Sequence, residues 1–456
     1  MARRARRRSG PPEVRGVTTR RGRRAGGSRR RRAALTAGLG LLALAATAAC
    51  GAEAGPPTLT WYTNPDAGGQ QRIAQECTEA ADGEYRIEVS TLPRDANAQR
   101  EQLARRLAAR DGSIDLMSLD PPFIPEFANA GFLAEVPDDV AERASEGVVE
   151  GALQGATWED RLVTVPFWAN TQLLWYRTSV AEAAGLDMSG TVTWEQLIEA
   201  AESQDVLLAV QGAKAESLTV WINALVASAG GEIVVNPEAP AGEVELALDT
   251  EAGRRAAQIL RTIGQQGLGG AGLPTADENA SLAVFQGDRG SFMVNWPFVW
   301  TATQAAVENG SLDEAVLEDI GWAMYPAVSE DAEPRPPYGG INLGVGAFSE
   351  HTDLAFAAAL CITEPERQAD YFVSDGNPPS SIEAYDDPEV QEAFPMADLI
   401  RQSLEQAAPR PQTPFYNEIS AGLQETWHPV GAVVPDRTPR SSAEFITAVL
   451  RGEQLL

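Results

Sequence analysis

The sequence predicts an α/β protein of two lobes, and three observations carry that prediction. Between residues 59 and 120, short runs rich in β-branched and aromatic residues alternate with helical patterns. That alternation builds βαβ units and a parallel sheet. About 400 residues follow the N-terminal basic and apolar runs, more than one hydrophobic core commonly supports. No repeat or long low-complexity segment interrupts the chain after residue 50.

The first elements read in order. Leu59 to Thr63 is a strand, ended by the turn signals Asn64–Pro65–Asp66 and Gly68–Gly69. A helix from about Gln70 to Ala81 stops at Asp82–Gly83, and Tyr85 to Leu92 is the next strand. Asp95 caps a helix over 96–110, which Asp111–Gly112 ends. Ile114 to Leu119 is the third strand, closed by Asp120–Pro121–Pro122. Ligands of open α/β sheets bind beyond the carboxyl ends of the strands. Asn64, Asp66 and Asp120 therefore share one sheet edge, with turn formation and capping as their alternative roles. Farther on, Thr193 caps a helix from Trp194 to Glu202, and another runs from Trp221 to Ala229. Gly264 to Gly272 reads as a loop, as do the clusters Val294–Phe298 and Tyr338–Asn342.

The N-terminus carries an arginine-rich run from Arg3 to Arg32, then a mostly apolar stretch of 17 residues from Ala33 to Ala49, then Cys50. This order predicts an export signal over 1–49 whose cleavage exposes a lipid-modifiable Cys50, with 50–57 as a tether. The protein is then held on the outer face of a bacterial membrane. A spanning helix needs about 20 apolar residues, so an uncleaved anchor is the weaker reading. Thr47 stands where a lipoprotein signal usually has Leu, which leaves cleavage near Ala49 without lipid open. Arg31–Arg32 allow a twin-arginine route as well as the general one.

Residues 1–49 hold 14 of the 36 basic and one of the 64 acidic residues, which leaves 22 against 63, a net charge of −41, for the rest. So acidic a surface repels nucleic acid and anionic lipid, and favours a neutral or cationic ligand. After Cys50 only Cys77 and Cys361 remain. In an oxidising compartment they read as a candidate disulfide, with two buried thiols as the alternative.

The two histidines, His351 and His428, lie in no patterned cluster, and HExxH, CxxC, EF-hand, GxSxG and phosphate-loop motifs are absent. The sequence therefore implies no cofactor and no metal. Carboxylate-only glycoside hydrolysis survives as an enzymatic alternative, since it needs only two acids.

Several of the ten tryptophans sit beside polar residues, as in Trp168–Ala169–Asn170, Trp221–Ile222–Asn223 and Asn295–Trp296. Aromatic planes cover the apolar face of a sugar while carboxylates, amides and Arg pair with its hydroxyls. Six stretches go further: LPRDANAQREQLARRLAARDGSIDLMSLD (Leu92–Asp120), NTQLLWYR (Asn170–Arg177), VWINALVASAGG (Val220–Gly231), VNWPFV (Val294–Val299), YPAV with GGIN (Tyr325–Val328, Gly339–Asn342) and RPQTPFY (Arg410–Tyr416). Together they resemble the solute-binding proteins of bacterial ABC importers of the maltose-binding type. Within these they are most similar to the trehalose-binding lipoproteins of trehalose-recycling importers.

The resemblance implies a two-lobe periplasmic-binding-protein-like fold (type II) with the ligand cleft between lobes. It assigns 58–168 plus 297–372 to lobe 1 and 169–296 plus 373–456 to lobe 2, with crossings near 167–171, 294–300 and 370–378. It implies capture of trehalose or a related disaccharide, maltose or another α-glucoside being the nearer competitor, and delivery to the permease subunits of an ABC transporter. The implied site comprises Asp120, Asn170, Glu216, Trp296, Phe298, Gly340 and Arg410, with Asn64 and Asp66 in a loop that departs from the family pattern. Cys77 and Cys361 fall in stretches similar to cysteine-bearing ones in those lipoproteins.

Overall fold

In the computed structural model, which describes residues 55–456, β1 (Thr58–Thr63), β2 (Arg86–Thr91) and β3 (Leu116–Leu119) pair in parallel about a central β1. The signal segment, Cys50 and the first part of the tether lie outside the described residues. The helices Gly69–Ala80 and Ala96–Ala108 connect these strands. Leu59 and Trp61 alternate into the core, and the Trp61 indole N–H donates to Ser118 Oγ at 3.1 Å. Asp95 caps the second helix by accepting from the Ala98 N–H at 2.8 Å.

A two-residue ribbon, β4 (Thr157–Trp158) with β5 (Arg161–Leu162), leads into β6 (Val165–Thr171). One residue later, at Leu173, the chain enters a second sheet as β7 (Leu173–Arg177). This sheet is completed by β8 (Leu207–Ala209), β9 (Gly290–Asn295) and β10 (Ile320–Ala323) in the order β10-β7-β9-β8. β11 (Tyr338–Val345) then returns to the first sheet, antiparallel to both neighbours, giving β2-β1-β3-β11-β6. Each sheet has its own core. Trp61, Phe167 and Phe356 pack in the first lobe, and Trp194, Trp221 and Leu260 in the second.

Several elements differ from the sequence expectation. Tyr338–Asn342, read as a loop, opens strand β11. Its two glycines hid the pattern: Gly340 adopts φ +125°, and a Cβ there would stand 2.2 Å from the Trp168 carbonyl oxygen. Val294–Asn295 likewise end β9 and are not loop. The helix expected from Trp221 starts at Glu216; Ala215 before it offers no side-chain cap, so the sequence carries no start signal there. Gly264 is helical, within Glu251–Gln265, so the loop begins later. β10 falls inside the 297–372 stretch assigned to lobe 1 yet pairs with β7 in the second sheet. Within 373–456, the helix Ala397–Gln406 packs on β6, whereas Tyr416–Trp427 and Thr438–Leu450 pack on the helices of the second sheet.

Cys77, on the helix Gly69–Ala80, is bonded to Cys361 on the helix Thr352–Ile362, with Cα atoms 5.9 Å apart. Both residues are buried in the core of the first lobe.

Candidate functional site

Asp120 lies one residue beyond β3, at the carboxyl edge of the first sheet. Pro121–Pro122–Phe123 follow as a single tight turn, and Phe123 packs edge-on against Tyr416 with ring centroids 5.3 Å apart. Tyr416 opens the helix Tyr416–Trp427, which lies on the helix Glu216–Ser228 of the second lobe. Asn223 holds these pieces in place by donating from Nδ2 to the Pro409 carbonyl at 3.1 Å. Arg410 is thereby placed between the two lobes.

Arg410 is 3% exposed. Its Nη1 donates to Asp120 Oδ2 at 3.0 Å and to Glu216 Oε1 at 2.8 Å, while Nη2 donates to Asp120 Oδ1 at 2.5 Å. Two parallel N–H···O contacts to one carboxylate form the strongest geometry available to this pair. Glu216 also accepts from the Tyr416 hydroxyl and, at 2.6 Å, from Ser420 Oγ. Burial works against the Arg410 charge, but Asp120, Tyr416 and Glu216 outweigh it and keep the guanidinium protonated. Burial raises the Glu216 carboxyl above its ordinary value, offset in part by Arg410, Ser420 and Tyr416. Arg410 Nε and the Ser217 hydroxyl are buried and have no protein partner.

Glu278 is the first residue of the helix Glu278–Gln286. Burial raises its carboxyl, its own backbone N–H offsets part of this, and the charges of Asp277 and Glu216 raise it further. Trp296 follows β9, and its ring lies against Gly339 of β11; a Cβ on Gly339 would meet the ring at 2.9 Å. Gly339 pairs with Asn170 in the β11–β6 register. Asp120, Arg410 and Glu216 thus form one hydrogen-bonded group at the carboxyl edge of the first sheet, and Gly339 brings the Trp296 ring beside the strand that carries Asn170.

The remaining implied residues divide. Gly340 must be glycine because of the Trp168 carbonyl. Phe298 begins the helix Phe298–Glu308 and packs into the apolar cluster with Phe372 and Phe394. Asp66 caps the helix Gly69–Ala80, accepting from the N–H groups of Gly68 at 3.0 Å and Gln70 at 2.7 Å. It belongs to a separate polar group with Tyr371 and Asp375. The Asn64 carbonyl accepts from Gln70 Nε2, and Asn64 Oδ1 is buried without a partner. Among the described residues, no hydrogen bond or ion pair joins Asn64 or Asp66 to the Arg410 group.

Sequence reasoning missed Tyr416, Ser420 and Glu278. Tyr416 ends the RPQTPFY stretch, and Ser420 lies one helical turn later on the same face. That spacing was a usable signal. Nothing near Glu278 in sequence points to Glu216, whose charge acts on it only through the fold.

Comparison with known proteins gives a consistent result. The bacterial extracellular solute-binding protein family matches residues 65–369. A probable ABC transporter-binding protein of Deinococcus radiodurans is 25% identical over 370 residues, covering 76% of this chain and 83% of the relative. A mannitol-binding protein of Pseudomonas aeruginosa is 26% identical over 147 residues, 32% of this chain and 33% of that protein. Among solved structures, maltose-bound T. maritima MalE3 superposes with a TM-score of 0.74 at 21% identity, covering 87% of this chain and all of that one. The GacH receptor of Streptomyces glaucescens, solved unliganded and with acarbose, gives 0.71 at 18% identity, over 87% and 98% of the two chains. These likenesses place the fold among two-lobe solute-binding proteins, and the match over residues 65–369 makes the chain a member of the bacterial extracellular solute-binding protein family.

Proposed function

We propose that this protein captures an uncharged disaccharide, trehalose first among candidates, between its two lobes outside the cell and hands it to the permease of an ABC importer. The observation that carries the reading is the Arg410 guanidinium held jointly by Asp120 of the first lobe and Glu216 of the second. A ligand drives closure only by touching both lobes, and these groups offer it contacts from each. The Trp296 ring supplies a face for the sugar's C–H surface, and Asn170, Glu278 and the free Arg410 Nε offer polar contacts at its rim. Hydrogen bonds to charged groups contribute roughly 1.5–3 kcal/mol each. A few of them, less ordering costs, reach micromolar affinity, about −8 kcal/mol. The resemblance of the six sequence stretches supports trehalose, and names of relatives that include maltose and mannitol binders support a sugar or polyol in general. Export as a lipoprotein anchored through Cys50 completes the reading, and mass spectrometry of membrane fractions tests it by looking for an acylated Cys50.

Titration calorimetry tests the ligand. Trehalose binds, and Arg410→Ala or Glu216→Gln weakens it at least tenfold; undiminished binding in both variants removes this site. A panel with maltose and other α-glucosides ranks the competitors. Incubation with trehalose or maltooligosaccharides releases no glucose. Sustained turnover lost in Glu216→Gln would replace capture with hydrolysis.

A further inference from the structure

The helix Tyr416–Trp427 packs Ile419, Leu423 and Trp427 into the core of the second lobe. Tyr416, Ser420 and Gln424 recur among them at every fourth residue, a spacing that lines one helix face. All three are buried, which costs free energy unless their polar atoms are hydrogen-bonded. Their partners lie on the helix Glu216–Ser228. The Tyr416 hydroxyl donates to Glu216 Oε1, and Ser420 Oγ donates to Glu216 Oε2 at 2.6 Å. Gln424 Nε2 donates to Ser420 Oγ at 2.9 Å, and the buried Thr219 places its Oγ1 2.9 Å from the same oxygen. A serine hydroxyl has one proton and two lone pairs. With its proton on Glu216, Ser420 accepts from Gln424 and Thr219, and all three of its places are filled. The donors form a chain that points one way, from amide to hydroxyl to carboxylate, and bonds in such a chain strengthen one another in a low dielectric.

Resting on the sugar-capture reading for what Glu216 does, we propose that Ser420, Gln424 and Thr219 are positioning residues for sugar binding: their relay fixes Glu216 in one orientation and in its ionised form, so that it can hold Arg410 and accept from the sugar. None of the three touches the ligand. Apolar side chains would join the two helices without the cost of buried polar atoms, and the stripe is accounted for by its grip on Glu216. The other charges acting on this carboxyl are those of Arg410, of Asp120 at the end of β3 and of Glu278, with Tyr416 as its remaining titratable neighbour. Lys214, two residues upstream, is paired with Glu425.

The test reads Glu216 directly. The full-length protein carries glutamate labelled with carbon-13 at the side-chain carboxyl, and Glu216→Gln assigns its resonance. The titration midpoint is followed in wild type, Ser420→Ala and Gln424→Met. Loss of a donor to the ionised form moves the midpoint upward, by about one pH unit in Ser420→Ala and by less in Gln424→Met. Calorimetry with trehalose, maltose and mannitol then compares affinities at neutral and mildly acidic pH. The deficit of Ser420→Ala relative to wild type widens at least threefold on acidification, which a loss of helix packing alone does not produce. An unmoved midpoint in both variants overturns the inference. A moved midpoint with a deficit that stays constant with pH overturns the positioning role and leaves sugar capture standing. Should none of the three sugars bind wild type, the capture reading falls and the positioning role falls with it. If Ser420→Ala does not fold, Gln424→Met decides both readouts.

Discussion

Arg410 and Asp120 lie 290 residues apart in sequence and meet through two parallel N–H···O contacts at the edge where β3 ends. The same guanidinium reaches Glu216 at 2.8 Å, so one side chain ties together the first sheet, the helix Glu216–Ser228 and the C-terminal helices. Removing it leaves the buried Glu216 and the partly buried Asp120 without their cation. Arg410→Ala therefore lowers unfolding free energy by about 3 kcal/mol at neutral pH, the cost of breaking a buried ion pair from one side. The loss shrinks as pH falls and the stranded carboxyls take up protons. Urea denaturation of wild type and variant at several pH values measures both effects.

Glu278 gives a pH dependence of its own. Its carboxyl in the folded protein lies above the ordinary glutamate value of 4.5, so the native state binds the proton more tightly than the unfolded chain. Its favourable contribution is complete below the ordinary value and disappears as pH rises through the folded one. Glu278→Gln keeps the shape and removes the titration. The variant is at least as stable as wild type at neutral pH, and its stability changes less between acidic and neutral pH. Thermal unfolding across that range is the measurement; a variant less stable at neutral pH would contradict the assigned burial.

The bond between Cys77 and Cys361 closes a loop of 284 residues. In the chain-entropy account a cross-link of this span restricts the unfolded chain by roughly 5–6 kcal/mol, and removing a native disulfide typically costs about 2–5 kcal/mol. The double variant Cys77→Ser/Cys361→Ser loses stability in that range. Sugar affinity changes less than threefold, because neither residue belongs to the Arg410 group. Denaturant unfolding paired with calorimetry separates the two outcomes.

Gly340→Ala places a methyl group 2.2 Å from the Trp168 carbonyl at φ +125°, a backbone region costly for any side chain. The variant loses at least about 2 kcal/mol, and sugar affinity falls with it, since β11 carries Gly339 against Trp296. Trp296→Ala, by contrast, retains most of the stability and lowers affinity at least tenfold. Parallel unfolding and binding measurements distinguish the strand defect from the lost aromatic face.

The βαβ opening of the chain was legible because its signals are local. Asp95 and Thr193 cap the helices they were expected to cap, and Thr193 forms a full capping box with Gln196. Asp120 and Glu216, named from separate stretches of sequence, each pair with Arg410. What escaped depends on distant partners. β11 contains Gly339 and Gly340 because Trp296 and Trp168 press on it, and a strand with two glycines reads as a turn. β10 joins the second sheet through Leu174–Arg177, more than a hundred residues earlier. The helix at Glu216 lacks a capping side chain, and Glu278 takes its importance from a neighbour across the site.

The passage from β6 to β7 takes place at Gln172 alone, which is 1% exposed. Residues up to 171 are laced to β11 and residues from 173 to β9 and β10. At this point the two halves can neither slide past one another nor drift apart without tearing a ladder. Any relative motion of the two sheets at this crossing would be confined to swivelling about the few backbone torsions around one buried side chain.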